Sequence, residues 1–215
     1  MDVFPTLSVK RYERVRHEIK SGDILLCSGN SFFSNMIKQA TNSTWSHVGF
    51  ILRLDIIDRI MILESVESIG VRAVPLSSYV RDYNGSGEGY PGRLMIARHH
   101  DLKQENIIKL SKFATDLLGY PYSTDSIARI VARIGIGSFG FDQQDPMLPR
   151  REFICSEYAH VCFKSVGVHV DYNQMGFIAP ADFARCKRVE ALNYVEVEEK
   201  RLQQAKTTAI EKVTA

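Results

Sequence analysis

Short apolar runs of strand length fill the first hundred residues, and longer stripes of helical period follow them. Val9 to Lys20 mixes charges with Val15 and Ile19 at helical spacing, which predicts a short helix, and "SGD" breaks it before the buried strand Ile24 to Cys27. In "GNSFFSNMIKQAT", Asn30 or Ser31 stands as an N-cap ahead of a stripe of Phe32, Phe33, Met36, Ile37 and Ala40. "SHVGFILRL" and "RIMILES" read as a hairpin, and "VRAVPL" and "RLMIAR" as two further strands. Between those last two, the Gly-rich stretch from Arg81 to Gly92 has the length of a lid or binding loop. Helices are expected from Gln104 to Leu118, where Gly119 stops the pattern, from Thr124 to Ile134, from Cys155 to Val166, and over "APADFA", with Pro180 near its first turn. A Gly- and Pro-punctuated connection of residues 135–150 joins the second of these to the third. From Val195 the chain is charged and poor in large apolar residues, which predicts a tail that frays or wraps the surface. The pattern is α+β, a small antiparallel sheet followed by most of the helices, in one domain spanning residues 1–215.

Composition narrows the function more than the fold. With 45% hydrophobic residues the chain can bury a core without disulfides. Lys+Arg 27 against Asp+Glu 25 gives a net charge of +2, too small for a nucleic-acid footprint. The N-terminus lacks the apolar segment of a signal peptide and no run reaches membrane-spanning length, so a cytoplasmic protein with no membrane anchor is expected. Cys27, Cys155, Cys162 and Cys186 show no CxxC spacing, which excludes zinc-ribbon and thioredoxin motifs and predicts reduced thiols. A set of Cys155, Cys162, His160 and His99 or His100 matches no zinc pattern, so neither metal nor cofactor is assigned. No residue pattern assigns an oligomeric state.

The chemistry gathers on two segments. If the hairpin closes with a four-residue loop at Leu54 to Ile57, His47 and Glu64 lie directly opposite each other, their Cβ atoms about 5 Å apart. Glu64 would then fix the tautomer of the imidazole and leave its other nitrogen for a nucleophile. "FICSEY" supplies the candidate, Cys155, at the start of a helix whose dipole favours the thiolate and whose backbone N–H groups suit an oxyanion. On residue types alone the alternative stands beside it, that Cys155 is a packed core thiol and His47 an ordinary hydrogen-bonded histidine.

"SGDILLCSG", "STWSHVGFIL", "LES" and "FICSEYAHVCF" together resemble the circularly permuted NlpC/P60 superfamily of papain-like thiol enzymes, in the YiiX-like branch with poxviral relatives. Lecithin:retinol acyltransferase-like proteins are more distant relatives. Here the histidine precedes the cysteine, the order of the permuted branch, and "GYPYS" resembles the loop that leads into the cysteine segment in unpermuted members. The resemblance implies a papain-like fold, a small sheet or half-barrel packed against helices. It also implies Cys155 as nucleophile, His47 as general base and acid, and Glu64 as the orienting third member. Tyr122, Trp45 and Ser156 become candidate substrate contacts, with packing as the other reading for Tyr122 and Trp45. "CSEY" departs from the CSG usual in unpermuted relatives. The activity implied is cysteine-dependent hydrolysis of an amide in a small peptide, γ-glutamyl or cell-wall-derived, with Arg81 and Glu88 as candidates for reading a charged substrate end. The alternatives are a thiol acyltransferase or lipid acyl hydrolase, and a non-catalytic binding module on the same fold.

Overall fold

The computed structural model describes residues 7–124, 152–171, 173 and 177–198. Seven strands form one sheet in the order β1-β7-β6-β2-β3-β4-β5. They are β1 (Val9–Lys10), β2 (Ile24–Gly29), β3 (His47–Leu54), β4 (Arg59–Val66), β5 (Gly70–Pro75), β6 (Gly92–His99) and β7 (Val189–Val195). All neighbours are antiparallel except β1 and β7. The described α-helices are α1 (Tyr12–Val15), α2 (Phe32–Ala40), α3 (Leu76–Arg81), α4 (Ile107–Asp116), α5 (Cys155–Lys164) and α6 (Pro180–Arg185). Most of the helix expected from Thr124 to Ile134, the connection after it and the tail beyond Glu198 lie outside the described residues.

Alternation along the strands builds two apolar layers. Ile24, Leu26, Val48, Phe50, Leu63, Met95 and Ala97 face α4, α5 and α6. Leu25, Cys27, Ile51, Ile60, Ile62, Leu94 and Ile96 face α1, α3 and Tyr90. α2 belongs to neither layer. Ser31 caps it, its hydroxyl accepting from the Ser34 N–H at 3.1 Å, but none of its residues is fully buried and Phe32 is 86% exposed.

Two expectations change, and the tail takes one of its two readings. Val9 and Lys10 open a strand rather than a helix, and the segment "VEALNYV", to which the sequence pattern assigns no element, is a strand that fills the slot between β1 and β6. Of the two readings of the tail, frayed or wrapped on the surface, Val195 to Glu198 takes the second: the Glu196 N–H donates to the Lys10 carbonyl at 2.9 Å and the Glu198 N–H to that of Val80 at 2.9 Å. The hairpin register is displaced by two residues. The loop is Asp55–Asp58, closed by Asp58 in the left-handed conformation (φ 49°), so Leu54 pairs with Arg59 and Phe50 with Leu63. A displacement of two preserves the faces, since side chains alternate with period two.

Candidate active site

The displaced register puts Gly49, not His47, opposite Glu64, and His47 lies diagonally from the carboxylate on the same face. The missing side chain at Gly49 makes the diagonal contact feasible. A Cβ there would lie 2.9 Å from Ile62 Cγ2 and 3.3 Å from Glu64 Cβ. Through the gap, His47 Nε2 meets Glu64 Oε2 at 2.6 Å. Glu64 is fully buried and takes two more donors: Tyr79 Oη at 2.6 Å on Oε2, and Arg72 Nε at 2.8 Å on Oε1. Arg72 arrives by register, directly opposite Glu64 on β5, and Tyr79 comes from α3. Burial alone would raise the Glu64 carboxyl, but the His47 bond and charge, Arg72 and Tyr79 outweigh it and hold the pKa below its ordinary value.

Cys155 begins α5, and the segment before it is held from both sides. The Ser65 hydroxyl donates to the Phe153 carbonyl at 2.7 Å, and the Phe153 N–H donates to the Pro121 carbonyl at 3.1 Å. Glu157, one turn into α5, accepts the Ile154 N–H at 3.1 Å, and Tyr158 donates to the Ala114 carbonyl of α4 at 2.9 Å. The "GYPYS" loop lies along β5, where the Val71 N–H donates to the Tyr120 carbonyl at 2.8 Å. Gly70 permits that approach, with φ at +88° and a Cβ position only 2.1 Å from the Tyr120 oxygen.

The start of α5 thereby reaches the first residue of β3. His47 and Cys155 line the same recess, and with Nε2 engaged by Glu64 the ring nitrogen left for another partner is Nδ1. Burial opposes the imidazolium, but the negative charge of Cys155, its hydrogen bond and Glu64 push the His47 pKa up to about 10. Cys155 is buried, 5% exposed, at the junction of two recesses. One, of about 160 Å³, is polar and aromatic, lined by His47, Ser34, Ser65, Glu67, Tyr79, Tyr83 and Tyr90. The other is small and apolar, walled by Phe33, Met36, Ile37 and Ala40 of α2 and by Phe177 and Ile178.

Of the residues singled out in the sequence, Cys155, His47 and Glu64 come together, and Tyr122 lines both recesses. Its phenol pKa is raised, by burial first and then by the charges of Cys155, Glu67 and Glu157. Ser156 borders the apolar recess, but its hydroxyl is committed to the Ile178 carbonyl at 2.8 Å, a bond that ties α5 to that wall. Trp45 is a correction: it is buried in the core, stacked on Tyr194 at 6.3 Å between ring centroids, and lines neither recess. Arg81 is another, because its guanidinium pairs with Glu13 and Glu198. Glu67 lies past the end of β4 and lines the polar recess. Cys27 and Cys162 are core residues, Cys27 directly beside His47 in the ladder. Sequence reasoning missed Arg72, Tyr79, Tyr83 and Tyr90. An arginine inside the apolar run "VRAVP" is the signal that marked the first of them. Among the described residues no three His, Cys, Asp or Glu side chains are grouped to hold a metal, and no helix is long and apolar enough to cross a membrane. A larger cavity of about 790 Å³, beside β6 and β7, is lined by none of Cys155, His47 and Glu64.

The chain is similar in fold to a solved structure, the metalloprotein yiiX of Escherichia coli O157:H7, at 19% identity and a TM-score of 0.57, covering 81% of this chain and 96% of that one. No curated protein matches the sequence. The family described as permuted papain-like amidase enzymes, YaeF/YiiX, C92, matches residues 18–129, which include His47 and Glu64 and stop short of Cys155. That match takes in just over half of the chain, β2 through β6 with the helices between them, and by it the chain belongs to the C92 family of permuted papain-like amidases.

Proposed function

We propose that the protein is a cysteine-dependent amide hydrolase in which Cys155 is the nucleophile, His47 the proton carrier and Glu64 the residue that orients it. The observation that carries this reading is a histidine bonded to a buried carboxylate and lining the same recess as a cysteine at a helix start. In the reaction, the Cys155 thiolate attacks the carbonyl carbon of an amide. The N–H groups of the first turn of α5, beyond the reach of helical carbonyls, stabilise the oxyanion. The His47 imidazolium gives its proton to the nitrogen, the C–N bond breaks, and the amine leaves a thioester behind. Water, deprotonated by His47, then cleaves the thioester to the acid and returns the thiolate–imidazolium pair. The resemblance to NlpC/P60 enzymes supports a small peptide amide as substrate, with the amine portion in the polar recess.

The small, largely apolar recess of about 30 Å³ on the other side of Cys155 favours a second reading, in which the carbonyl end of a hydrocarbon chain seats there and the acceptor is water or an alcohol. The first experiment is the pH dependence of Cys155 alkylation by iodoacetamide in the parent, His47→Ala and Cys155→Ser. The expected result is a fast reaction at neutral pH that His47→Ala abolishes. A slow reaction indifferent to His47 overturns both enzymatic readings and leaves a binding module. Hydrolysis of amides with short polar or long aliphatic acyl groups then separates the two enzymatic readings.

A further inference from the structure

Glu64 is buried outright and shared by three partners, and its surroundings carry a cation that the reaction does not use. Arg72 is only 14% exposed in its side chain, and its Nε lies 2.8 Å from Glu64 Oε1, the oxygen that faces away from His47. Every element around the carboxylate contributes a titratable neighbour: His47 on β3, Cys27 on β2, Arg72 on β5, Tyr79 on α3, and Tyr83 and Tyr90 from the loop before β6, with Cys155 beyond His47. Arg72 and His47 are the cationic groups in that set.

A thiolate, an imidazolium and a carboxylate in a row carry a net charge of −1. Burying an uncompensated charge is costly, and such a site lowers its energy by taking up a proton. The proton goes to Glu64, which then ceases to support the imidazolium, or to Cys155, which then ceases to be a nucleophile. Arg72 brings the net charge to zero. An arginine stays protonated over the whole accessible range, so the compensation does not itself titrate.

We infer that Arg72 is a positioning residue of the active site: by pairing with the far oxygen of Glu64 it makes the Cys155–His47–Glu64 group electrically neutral and keeps the nucleophile in its reactive form at mildly acidic pH. This rests on the triad proposed above. The guanidinium touches neither sulfur nor substrate and acts through the carboxylate. Tyr79 completes the arrangement as a neutral donor on the same oxygen as His47, its own hydroxyl held protonated by burial and by the Glu64 charge.

The test is the pH profile of alkylation by iodoacetamide, read at the Cys155 peptide by mass spectrometry so that Cys186 does not contribute, on the full chain with Arg72→Lys, Arg72→Met and Arg72→Gln. An opposite charge within a few ångströms moves a pKa by about 1–3 units, and Arg72 stands that close to Glu64 and acts on the sulfur only through it, so the acid limb in Arg72→Met moves up by a fraction of that range, about half a pH unit or more, and the rate at pH 6 falls about threefold or more. Arg72→Gln, which keeps a donor without the charge, shifts in the same way and serves where Arg72→Met does not fold. Arg72→Lys retains the parent limb. Folded Met or Gln variants whose acid limb coincides with the parent's overturn the inference, as does a lysine variant that shifts as far as methionine. A parent profile without His47 dependence instead overturns the triad itself, so the two failures are distinct.

Discussion

Replacing Gly49 by alanine tests the diagonal contact without touching any group that reacts. The added Cβ would lie 2.9 Å from Ile62 Cγ2, 3.0 Å from the Leu63 carbonyl oxygen and 3.3 Å from Glu64 Cβ. The carbonyl is fixed in the ladder and Ile62 is buried, so relief comes from β3 and β4 separating by a few tenths of an ångström. Overpacking of this kind costs about 1–3 kcal/mol. The smaller unfolded-state entropy of alanine offsets about 0.4–1 kcal/mol of that. The net, about 1–2 kcal/mol, corresponds to a fall in Tm of about 2–8 °C for a chain of this size. Activity should fall further than stability does. The strand separation acts directly on a 2.6 Å contact between His47 and Glu64, and misplacement on the ångström scale costs about a hundredfold in rate. Thermal unfolding by circular dichroism and Cys155 alkylation at pH 7, measured on the same preparations, give the two numbers. An alanine variant with the parent's Tm and the parent's alkylation rate would refute the claim that Gly49 makes room for the carboxylate.

Three further outcomes follow from the buried groups. Tyr79→Phe removes a donor 2.6 Å from an ionised, buried carboxylate and should lower urea stability by about 1.5–3 kcal/mol, while alkylation keeps its dependence on His47; unchanged stability would mean that the hydroxyl is not needed to hold Glu64. His47 has a folded-state pKa pushed up to about 10 against an ordinary 6.5, so its contribution to stability is complete below about 6.5 and is lost as pH rises through 10. The urea midpoint of the parent should therefore exceed that of His47→Gln most at pH 6 and least above pH 10, and a gap that widens with pH contradicts the assigned partners. Asp182, which accepts the Ala179 N–H at 2.7 Å, is raised to about 6, by burial chiefly, so ionising it weakens the fold as pH climbs through 6. Asp182→Asn should gain in Tm relative to the parent between pH 4.5 and 7.5; the opposite drift would show that the carboxylate is preferred in its charged form.

Much of the sheet and most of the site can be read from the sequence, and the misses share a physical cause. β2, β3, β4, β5 and β6 each announce themselves by a run of branched and aromatic residues long enough to fill a ladder. β1 is two residues long and "VEALNYV" interleaves polar side chains, so neither stands out locally; they are strands because each pairs with a segment about 185 residues away. The hairpin register failed by two because no dipeptide in "LDIIDR" marks the turn. The residue that closes it is Asp58, an aspartate in a conformation more usual for glycine, with its carboxylate held by Arg16 at 2.7 Å. The same parity argument that misplaced the opposition still chose the right pair, because an even displacement leaves His47 and Glu64 on one face. Trp45 failed differently. An aromatic just before a histidine strand is equally able to wall a cleft or fill a core, and only the position of Tyr194 on β7, a strand not foreseen, decides for the core.

The site depends on few long-range contacts, and this explains how the histidine can precede the cysteine in a papain-like frame. His47, Glu64 and Arg72 sit on three consecutive, mutually hydrogen-bonded strands, so one sheet segment carries the proposed base, its proposed orienter and the cation inferred to compensate them. The cysteine is added from elsewhere in the chain. Its helix is docked by the Ser65 hydroxyl on the Phe153 carbonyl, the Ser156 hydroxyl on the Ile178 carbonyl and the Tyr158 hydroxyl on the Ala114 carbonyl. Each of those bonds joins side chain to backbone across a sequence separation of 22 to 88 residues and is indifferent to which partner comes first. Chain order therefore constrains the loops that connect sheet and helix, whereas the distance from imidazole to sulfur is set by docking. On that argument, weakening one dock should uncouple the pair while leaving the sheet intact. Ser65→Ala removes one of these bonds from a fully buried position and leaves the Phe153 carbonyl only the longer bond from the Ser123 N–H at 3.4 Å, at a cost of about 0.5–1.5 kcal/mol. The expected signature is a loss of His47-dependent alkylation larger than the loss of thermal stability. A variant that loses stability but keeps the parent's alkylation profile would show that other contacts suffice to hold the sulfur at the end of β3.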